Sequence, residues 1–314
     1  MIEPTVKNQL LALFGTRLQE NAPLAGYTTA QIGGPADVLI VLHNRLELEQ
    51  AVRLLWQSAI PFTILGSASN VLISDDGLRG VALINKAKQV EFDLSGDKAA
   101  VRAESGAILS SIARQAALQG LTGLEWAAAV PGTLGGAVYG NAGAHGRDMA
   151  ANLSVAEILH PVNGVEQWSV QRMEYSYRSS ALKRTSEKVV ILSALLHLDR
   201  DNPQDIKGRM EEYTAHRRRT QPPGASMGSM FKNPAGDFAG RLIEAAGLKG
   251  LRIGGAEVSP VHGNFFVNHS RATASDIFQL IRRVQKTVNE RFGVMLELEV
   301  ELLGSYDFAE ELKG

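Results

Sequence analysis

Cysteine is absent from the 314 residues of this chain. That excludes a disulfide scaffold, a thiolate nucleophile, an iron–sulfur cluster and a cysteine zinc site in one step. It also agrees with the cytoplasm, the compartment expected here. Neither sign of charge is in excess, with 32 Lys and Arg against 33 Asp and Glu and a net charge of −1. With so little to neutralise a phosphate backbone, a dedicated nucleic-acid binder is not expected. Long apolar runs are missing too. The run at 10–14 is too short for a signal-peptide core, and the longest stretch without a charged residue, 126–146, contains Pro131, Asn141 and six glycines. Neither a targeting segment nor a membrane span is expected. Familiar nucleotide and hydrolase signatures are lacking as well. G-x-G, G-K-[ST] and H-E-x-x-H do not occur, and the seven histidines are scattered. A Rossmann fingerprint, a P-loop and a histidine metal site are therefore set aside, and any nucleotide must be held another way.

What is present describes a mixed α+β chain in three lobes, since 45% hydrophobic residues over this length provide for two or three cores. The first lobe, 1–85, opens with an amphipathic helix and continues with strands at 36–42, 61–65 and 81–85. Asn44 with Glu47 makes a start resembling a capping box, for a helix with Leu48, Val52 and Leu55 on one face. The second lobe, 86–202, is expected to hold strands near 88–94, 98–103, 153–160 and 188–198, and a helix over 107–118 capped by Ser105. Between them, 120–146 carries eight glycines in 27 positions and reads as a backbone-exposing loop. The third lobe, 203–314, has a basic helix ending in H-R-R-R at 216–219, a loop at 224–234 and a short helix near 239–246. A regular helix follows, with Ile277, Leu280, Ile281, Val284 and Val288 on one face. The last strand spans 294–303, with Glu297, Glu299 and Glu301 opposite an apolar face.

Two glycine-rich segments carry chemical signals. In L-G-S-A-S-N (65–70) a strand runs into small residues whose N–H groups and hydroxyls can cradle a pyrophosphate, although a plain tight turn fits as well. In V-P-G-T-L-G-G-A-V-Y-G-N-A-G-A-H-G (130–146) a bare backbone favours contact with a flat or anionic ligand over close packing of backbone on backbone.

Six blocks, in order, resemble the UDP-N-acetylenolpyruvoylglucosamine reductase family. They are T-T-A-Q-I-G-G-P-A-D (28–37), L-G-S-A-S-N-V-L-I-S-D-D-G (65–77), the glycine-rich 130–144, Y-S-Y-R-S-S (175–180), G-S-M-F-K-N-P with its continuation to 250, and L-E-L-E-V-E-L (296–302). The resemblance implies a vanillyl-alcohol-oxidase/PCMH-type FAD-binding fold in the first two lobes and an α+β substrate-binding domain in the third. Non-covalent FAD would touch Gly66, Ser67, Ser69, Asn70, Val130, Pro131, Gly132, Thr133, Gly135, Gly136, Asn141 and Gly143. NADPH would reduce the flavin, and UDP-N-acetylglucosamine enolpyruvate would then receive a hydride at C3 and a proton at C2, giving UDP-N-acetylmuramate for peptidoglycan.

The resemblance further implies three catalytic residues. Arg178 would bind the enolpyruvyl carboxylate, the alternative being a surface arginine paired to Glu174. Ser229 would give the proton, where a serine in such a loop is otherwise a turn residue. Glu299 would be the catalytic acid, where three like charges are most simply a solvated face. Tyr177, Lys232 and Asn233 are substrate candidates. Arg217, Arg218 and Arg219 fit a diphosphate or the dipole of a helix C-terminus, and His262 has an equally structural reading. Arg178 and Ser229 lie only 51 positions apart, which resembles the shorter family form without an inserted lid. His145 stands where an aromatic residue is expected. Two other classes compete: an oxidase on the same flavin fold, and a flavin-binding scaffold without chemistry. No histidine lies between His43 and His145 to tether a flavin covalently.

Overall fold

A computed structural model describes residues 2–185 and 187–306; positions 307–314 of the expected third lobe lie outside them. Helix α1 (Pro4–Phe14) starts on proline, whose fixed φ suits a first helical turn, and buries Val6, Leu10 and Phe14. Helix α2 (Arg45–Gln57) starts where Asn44 Oδ1 accepts the Glu47 N–H at 2.9 Å. Glu47 does not complete a capping box. Its carboxylate takes the His43 N–H at 2.7 Å and Arg17 at 2.6 Å. The apolar faces of α1 and α2 share a core with Val38, Ile40, Val81 and Leu83. These come from a four-stranded sheet ordered Leu18–Pro23, Pro35–Leu42, Leu78–Asn85, Phe62–Leu65, antiparallel at the first pair and parallel at the others.

A second sheet runs Gly164–Ser169, Leu153–His160, Val190–Arg200, Ala99–Glu104, Val90–Asp93, antiparallel throughout, with Leu121–Thr122 added at the end of its middle strand. Helix α3 (Leu109–Leu118) covers it but starts two residues later than expected and without a side-chain cap. Ser105 is occupied elsewhere: its hydroxyl accepts from Asn85 Nδ2 at 2.8 Å. The glycine-rich stretch is also more ordered than expected. It contains helix α4 (Leu134–Gly140), whose Leu134 and Gly135 N–H groups bond the carbonyls of Ala107 and Ser105 at 2.8 Å. A short helix, α5 (Ala181–Arg184), is capped by the Ser180 hydroxyl.

In the third lobe, α6 (Pro203–Thr220) ends in the three arginines and α7 (Ala239–Ala245) is short. Helix α8 (Ala274–Phe292) has a full capping box from Thr273 and Asp276, ends on left-handed Gly293, and buries all five residues of its expected face. Each such side chain contributes about 1.5–3 kcal/mol on burial. Helices α7 and α8 pack with a sheet ordered Ser226–Ser229, Phe265–Asn268, Ala256–Val258, Arg252–Ile253, whereas α6 lies against α3 and residues 125–127.

The expected strand over 294–303 is cut in two. Leu298 makes a single antiparallel bridge to Phe231, and only Glu301–Leu303 forms a strand, parallel to Val71–Ile73 of the first lobe. The apolar alternation is still expressed as burial, with Leu296 and Val300 inside the third lobe's core and Leu298 and Leu302 packed against it. One segment thus serves two partners, and Glu299 lies at the change-over.

Candidate active site

Arg178 is aimed by a tight turn in which Ser176 and Ser179 exchange backbone hydrogen bonds at 3.1 Å and Arg178 takes a φ of +55°. Such a conformation is unusual for a residue with a side chain and has to be held by its surroundings. Tyr175 Oη donates to the Val138 carbonyl at 2.8 Å and Ser180 Oγ to that of Tyr139 at 2.6 Å, so the turn is fastened to α4. The guanidinium then reaches Glu299 through Nε at 2.7 Å and the Gly143 carbonyl through Nη2 at 2.8 Å. Glu174, the alternative partner, pairs with Arg184 instead.

Glu299 is pinned from both sides. Its N–H donates to the Met230 carbonyl at 2.9 Å, and its own carbonyl accepts from Asn70 Nδ2 at 3.0 Å. Burial pushes its carboxyl above the usual carboxylate range, against the pull of Arg178, Lys183 and Lys232. The row of glutamates is not simply a solvated face: Glu297 pairs with Lys232 and Glu301 with Lys183, so each of the three carboxylates has its own cation.

Ser229 ends the strand Ser226–Ser229 opposite Phe265, one residue before the carbonyl that holds Glu299. That strand and the 66–70 loop share Thr29, whose hydroxyl donates to Ser226 O at 2.8 Å and whose N–H reaches Ala68 O at 3.4 Å. Tyr177 Oη accepts the Asn233 N–H at 3.4 Å, and Asn233 Oδ1 accepts the Ala239 N–H at the start of α7. Asn264 was not singled out by sequence. It is buried and bonds both the N–H (2.9 Å) and the carbonyl (2.8 Å) of Phe231, locking the G-S-M-F-K-N-P segment in place. Nothing in the sequence distinguishes it from the other asparagines. Thr29 and Lys183, by contrast, stand inside or just beyond recognised blocks.

The glycines divide by what they face. A Cβ on Gly66 would lie 2.3 Å from Thr133 Oγ1, one on Gly135 would lie 3.0 Å from Ser105, and one on Gly143 would lie 2.5 Å from the Arg147 carbonyl. At these three positions, close packing of protein on protein is by itself enough to require glycine. Asn141 is likewise engaged internally: Nδ2 donates to Asp148 and to Ser176 O, both at 3.0 Å, and Oδ1 accepts from Ala150. A Cβ on Gly132, at φ +121°, would lie 3.1 Å from Ser69 Oγ, and one on Gly136 would make only an ordinary contact with Thr133 Oγ1 at 3.8 Å. Gly66→Ala is expected to push Thr133 aside, part the two loops and lower the flavin retained per chain, measured by absorbance after gel filtration.

Beside these loops lies a cleft of about 510 Å³ lined by Thr29, Ser69, Pro131, Arg217, Gly228 and Phe265, among others, with no carboxylate in its wall. Gln221 lines it too, and its Oε1 is buried with no hydrogen-bond partner. Such an orphan needs a partner from elsewhere.

The family described as FAD binding domain matches residues 36–164, and the one described as UDP-N-acetylenolpyruvoylglucosamine reductase, C-terminal domain, matches 220–303. The chain is 44% identical over 292 residues to UDP-N-acetylenolpyruvoylglucosamine reductase 2 of Symbiobacterium thermophilum, covering 92% of each protein. It is 39% identical over 285 residues to the reductase of Bacillus subtilis, covering 90% of this chain and 93% of that one. The crystal structure of the reductase from Thermus caldophilus superposes with a TM-score of 0.78 at 35% identity, over 92% of this chain and 99% of that one. The chain belongs to the UDP-N-acetylenolpyruvoylglucosamine reductase family. Its fold is accordingly α+β, with an FAD-binding module of the vanillyl-alcohol-oxidase/PCMH type ahead of the reductase C-terminal domain. FAD is the family's cofactor, and the cleft suits it. Arg217 and the open backbone near Ser69, Pro131 and Gly132 answer an anionic group, and Gln221 supplies a free acceptor. Among the described residues, no helix is long and apolar enough to cross a membrane, and no group of His, Asp and Glu is placed to hold a metal.

Proposed function

We propose that this chain is an NADPH-dependent, cytoplasmic flavoenzyme that reduces UDP-N-acetylglucosamine enolpyruvate to UDP-N-acetylmuramate, a peptidoglycan precursor, and that nucleic acid is not among its partners. The observation that carries this reading is the Arg178–Glu299 pair, held beside the strand that bears Ser229, in a chain whose full-length relatives bear the name of this reductase. In this reading Gly66, Ser67, Ser69, Asn70, Val130, Pro131, Gly132, Thr133 and Gly136 form the cofactor side. Gly135, Gly143 and Asn141 support it from behind, Gly143 through the carbonyl that holds Arg178. Bound FAD supplies the hydride once NADPH has reduced it. With no cysteine in the chain and no histidine beside the first glycine loop, FAD is held without a covalent bond.

The chain's own groups handle the rest of the reaction. Arg178 is the only one of the three catalytic candidates that can clamp the enolpyruvyl carboxylate, and its planar fork suits that task. After hydride arrives at C3, negative charge develops at C2 and spreads into that carboxylate, where the guanidinium stabilises it. Ser229 Oγ–H gives its proton to C2, for which serine is acidic enough because a carbanion is strongly basic. The substrate carboxylate draws Arg178 away from Glu299, which is left buried with less compensation and holds a proton more firmly. Tyr177, Lys232 and Asn233 form the sugar-nucleotide side.

The decisive test is anaerobic absorbance. NADPH should bleach a flavin spectrum, and UDP-N-acetylglucosamine enolpyruvate should restore it; a flavin that NADPH does not reduce, or that the substrate does not reoxidise, removes the reading. A pH dependence follows from Glu299. Its carboxyl is held above the usual range, and the protonated form is the one that acts, so reoxidation should be full at low pH and decline as pH rises through that raised value. Stopped-flow across pH should show this limb in the wild type and none in a slow Glu299→Gln.

A further inference from the structure

The segment that carries Glu299 has a register its own sequence leaves open. Leu296, Leu298, Val300 and Leu302 alternate with Glu297, Glu299 and Glu301, so a slip of two residues puts apolar on apolar and acid on acid. Three backbone bonds hold the segment: Lys232 N–H to the Glu297 carbonyl, Glu299 N–H to that of Met230, and Glu301 N–H to that of Asn70. Bonds of this kind read no side chain and could be remade after such a slip. Only the side-chain partners tell the three glutamates apart.

Lys183 is the partner at one end. It lies in α5, five residues after Arg178, with its side chain mostly buried. Its Nζ is 2.5 Å from Glu301 and 5.7 Å from the centroid of the Tyr139 ring on α4. Ser180 braces this piece of chain, its hydroxyl donating to the Tyr139 carbonyl at 2.6 Å and accepting the Lys183 N–H at 3.4 Å. Arg178 and Lys183 thus meet Glu299 and Glu301 from one fastened unit. If the segment moved two residues to bring Glu301 to Arg178, Lys232 would still meet a glutamate, Glu299, but Lys183 would face Leu303. Of the three cations, Lys183 alone opposes that move. Lys232 opposes the reverse one, which would set it against Met295.

We propose that Lys183 is a positioning residue of the reductase reaction: by holding Glu301 it fixes the register that sets Glu299, and no other glutamate, before Arg178. This role rests on the reading of Glu299 as the acid of the reaction. The charges facing Glu299 are Arg178, Lys183 and Lys232, with Glu297 and Glu301 beside it on its own segment. While paired, Lys183 and Glu301 largely cancel at Glu299. Lys183→Met leaves an uncompensated anion there, so Glu299 should keep its proton to higher pH. Glu301→Gln leaves an uncompensated cation and should do the reverse.

The test is anaerobic stopped-flow across pH, with FAD-loaded proteins and the enolpyruvyl substrate. The declining limb of reoxidation should move up by about half a pH unit or more in Lys183→Met and down by a similar amount in Glu301→Gln. It should return close to the wild-type position in the double variant. Loss of stability alone would not move the limb in opposite directions. Lys183→Glu, which repels Glu301, should slow reoxidation by about 10- to 10²-fold, the scale of a misplaced group, and adding Glu301→Lys should recover most of it. Reduction by NADPH should stay near the wild-type rate throughout, and flavin absorbance verifies that each variant is folded. Limbs that stay put, or move the same way in both single variants, overturn the proposal while the enzyme reading stands. So does a Lys183→Glu that is as fast as the wild type or is not rescued by Glu301→Lys. A wild type without any limb removes Glu299 as the acid, and this role of Lys183 with it. A wild-type flavin that the substrate does not reoxidise removes the enzyme reading itself.

Discussion

In Ser229→Ala, reduction of FAD by NADPH is expected to run at close to the wild-type rate, while reoxidation by the enolpyruvyl substrate slows by about 10²- to 10⁴-fold, the usual scale for a positioned proton donor. The split follows from where the proton is needed. Nothing at substrate C2 takes part when NADPH reduces the flavin, so the hydroxyl is idle in that half-reaction. In the other half-reaction the carbon next to the carboxylate becomes a base and needs an acid within reach. In the proposed reaction Ser229 is that acid; its strand ends one residue before Met230, whose carbonyl holds the Glu299 N–H. Anaerobic stopped-flow on each half-reaction measures both rates. Equal reoxidation in the two proteins would leave Ser229 as a turn residue. Ser229→Cys offers a stronger acid at the same position and should recover part of the loss.

Arg178→Lys should be nearly as damaging, with reoxidation reduced about 10²-fold or more. Arg178 uses two nitrogens in two directions, Nε to Glu299 and Nη2 to the Gly143 carbonyl. An ammonium carries the same charge but cannot span both partners and also present an edge to a carboxylate. The turn that holds Arg178 at φ +55° is fixed by Tyr175 and Ser180 rather than by the guanidinium, so the variant should fold and keep its flavin. Near-normal reoxidation in Arg178→Lys would move the carboxylate site elsewhere.

The contrast between α8 and the glycine-rich stretch explains how much of the molecule was legible in the sequence. Helix α8 repeats its apolar residues with helical spacing, carries its own cap and stop signals, and buries the face those signals specify. Local pattern suffices there because the helix needs only one apolar surface to lie on. Through 130–146 the glycines hide a helix and a hairpin, because Gly135 and Gly143 are required by contacts with Ser105 and Arg147 rather than by an irregular backbone. Such a contact is visible only once the chain has folded. The alternation over 294–303 was readable as burial but not as pairing, since its hydrogen-bond partners lie in two different lobes. Among the site residues, Arg178, Ser229 and Glu299 emerged from the family resemblance. Local pattern could not have chosen Glu299 over Glu297 or Glu301; the structure separates the three by the cation each one meets.

The change-over at Glu299 also sets when the site can exist during synthesis. Asn70 and Glu299 are 229 residues apart in the chain, yet the carboxamide of one holds the carbonyl of the other. Glu299 leaves the ribosome long after Asn70 and Arg178, and until Glu301–Leu303 docks beside Val71–Ile73 its carboxylate is not fixed opposite Arg178. Contacts of such long range form late. A growing chain can therefore complete its flavin-binding portion well before it gains the means to reduce a sugar nucleotide. Any protein released short of residue 299 would leave Arg178 without its carboxylate partner.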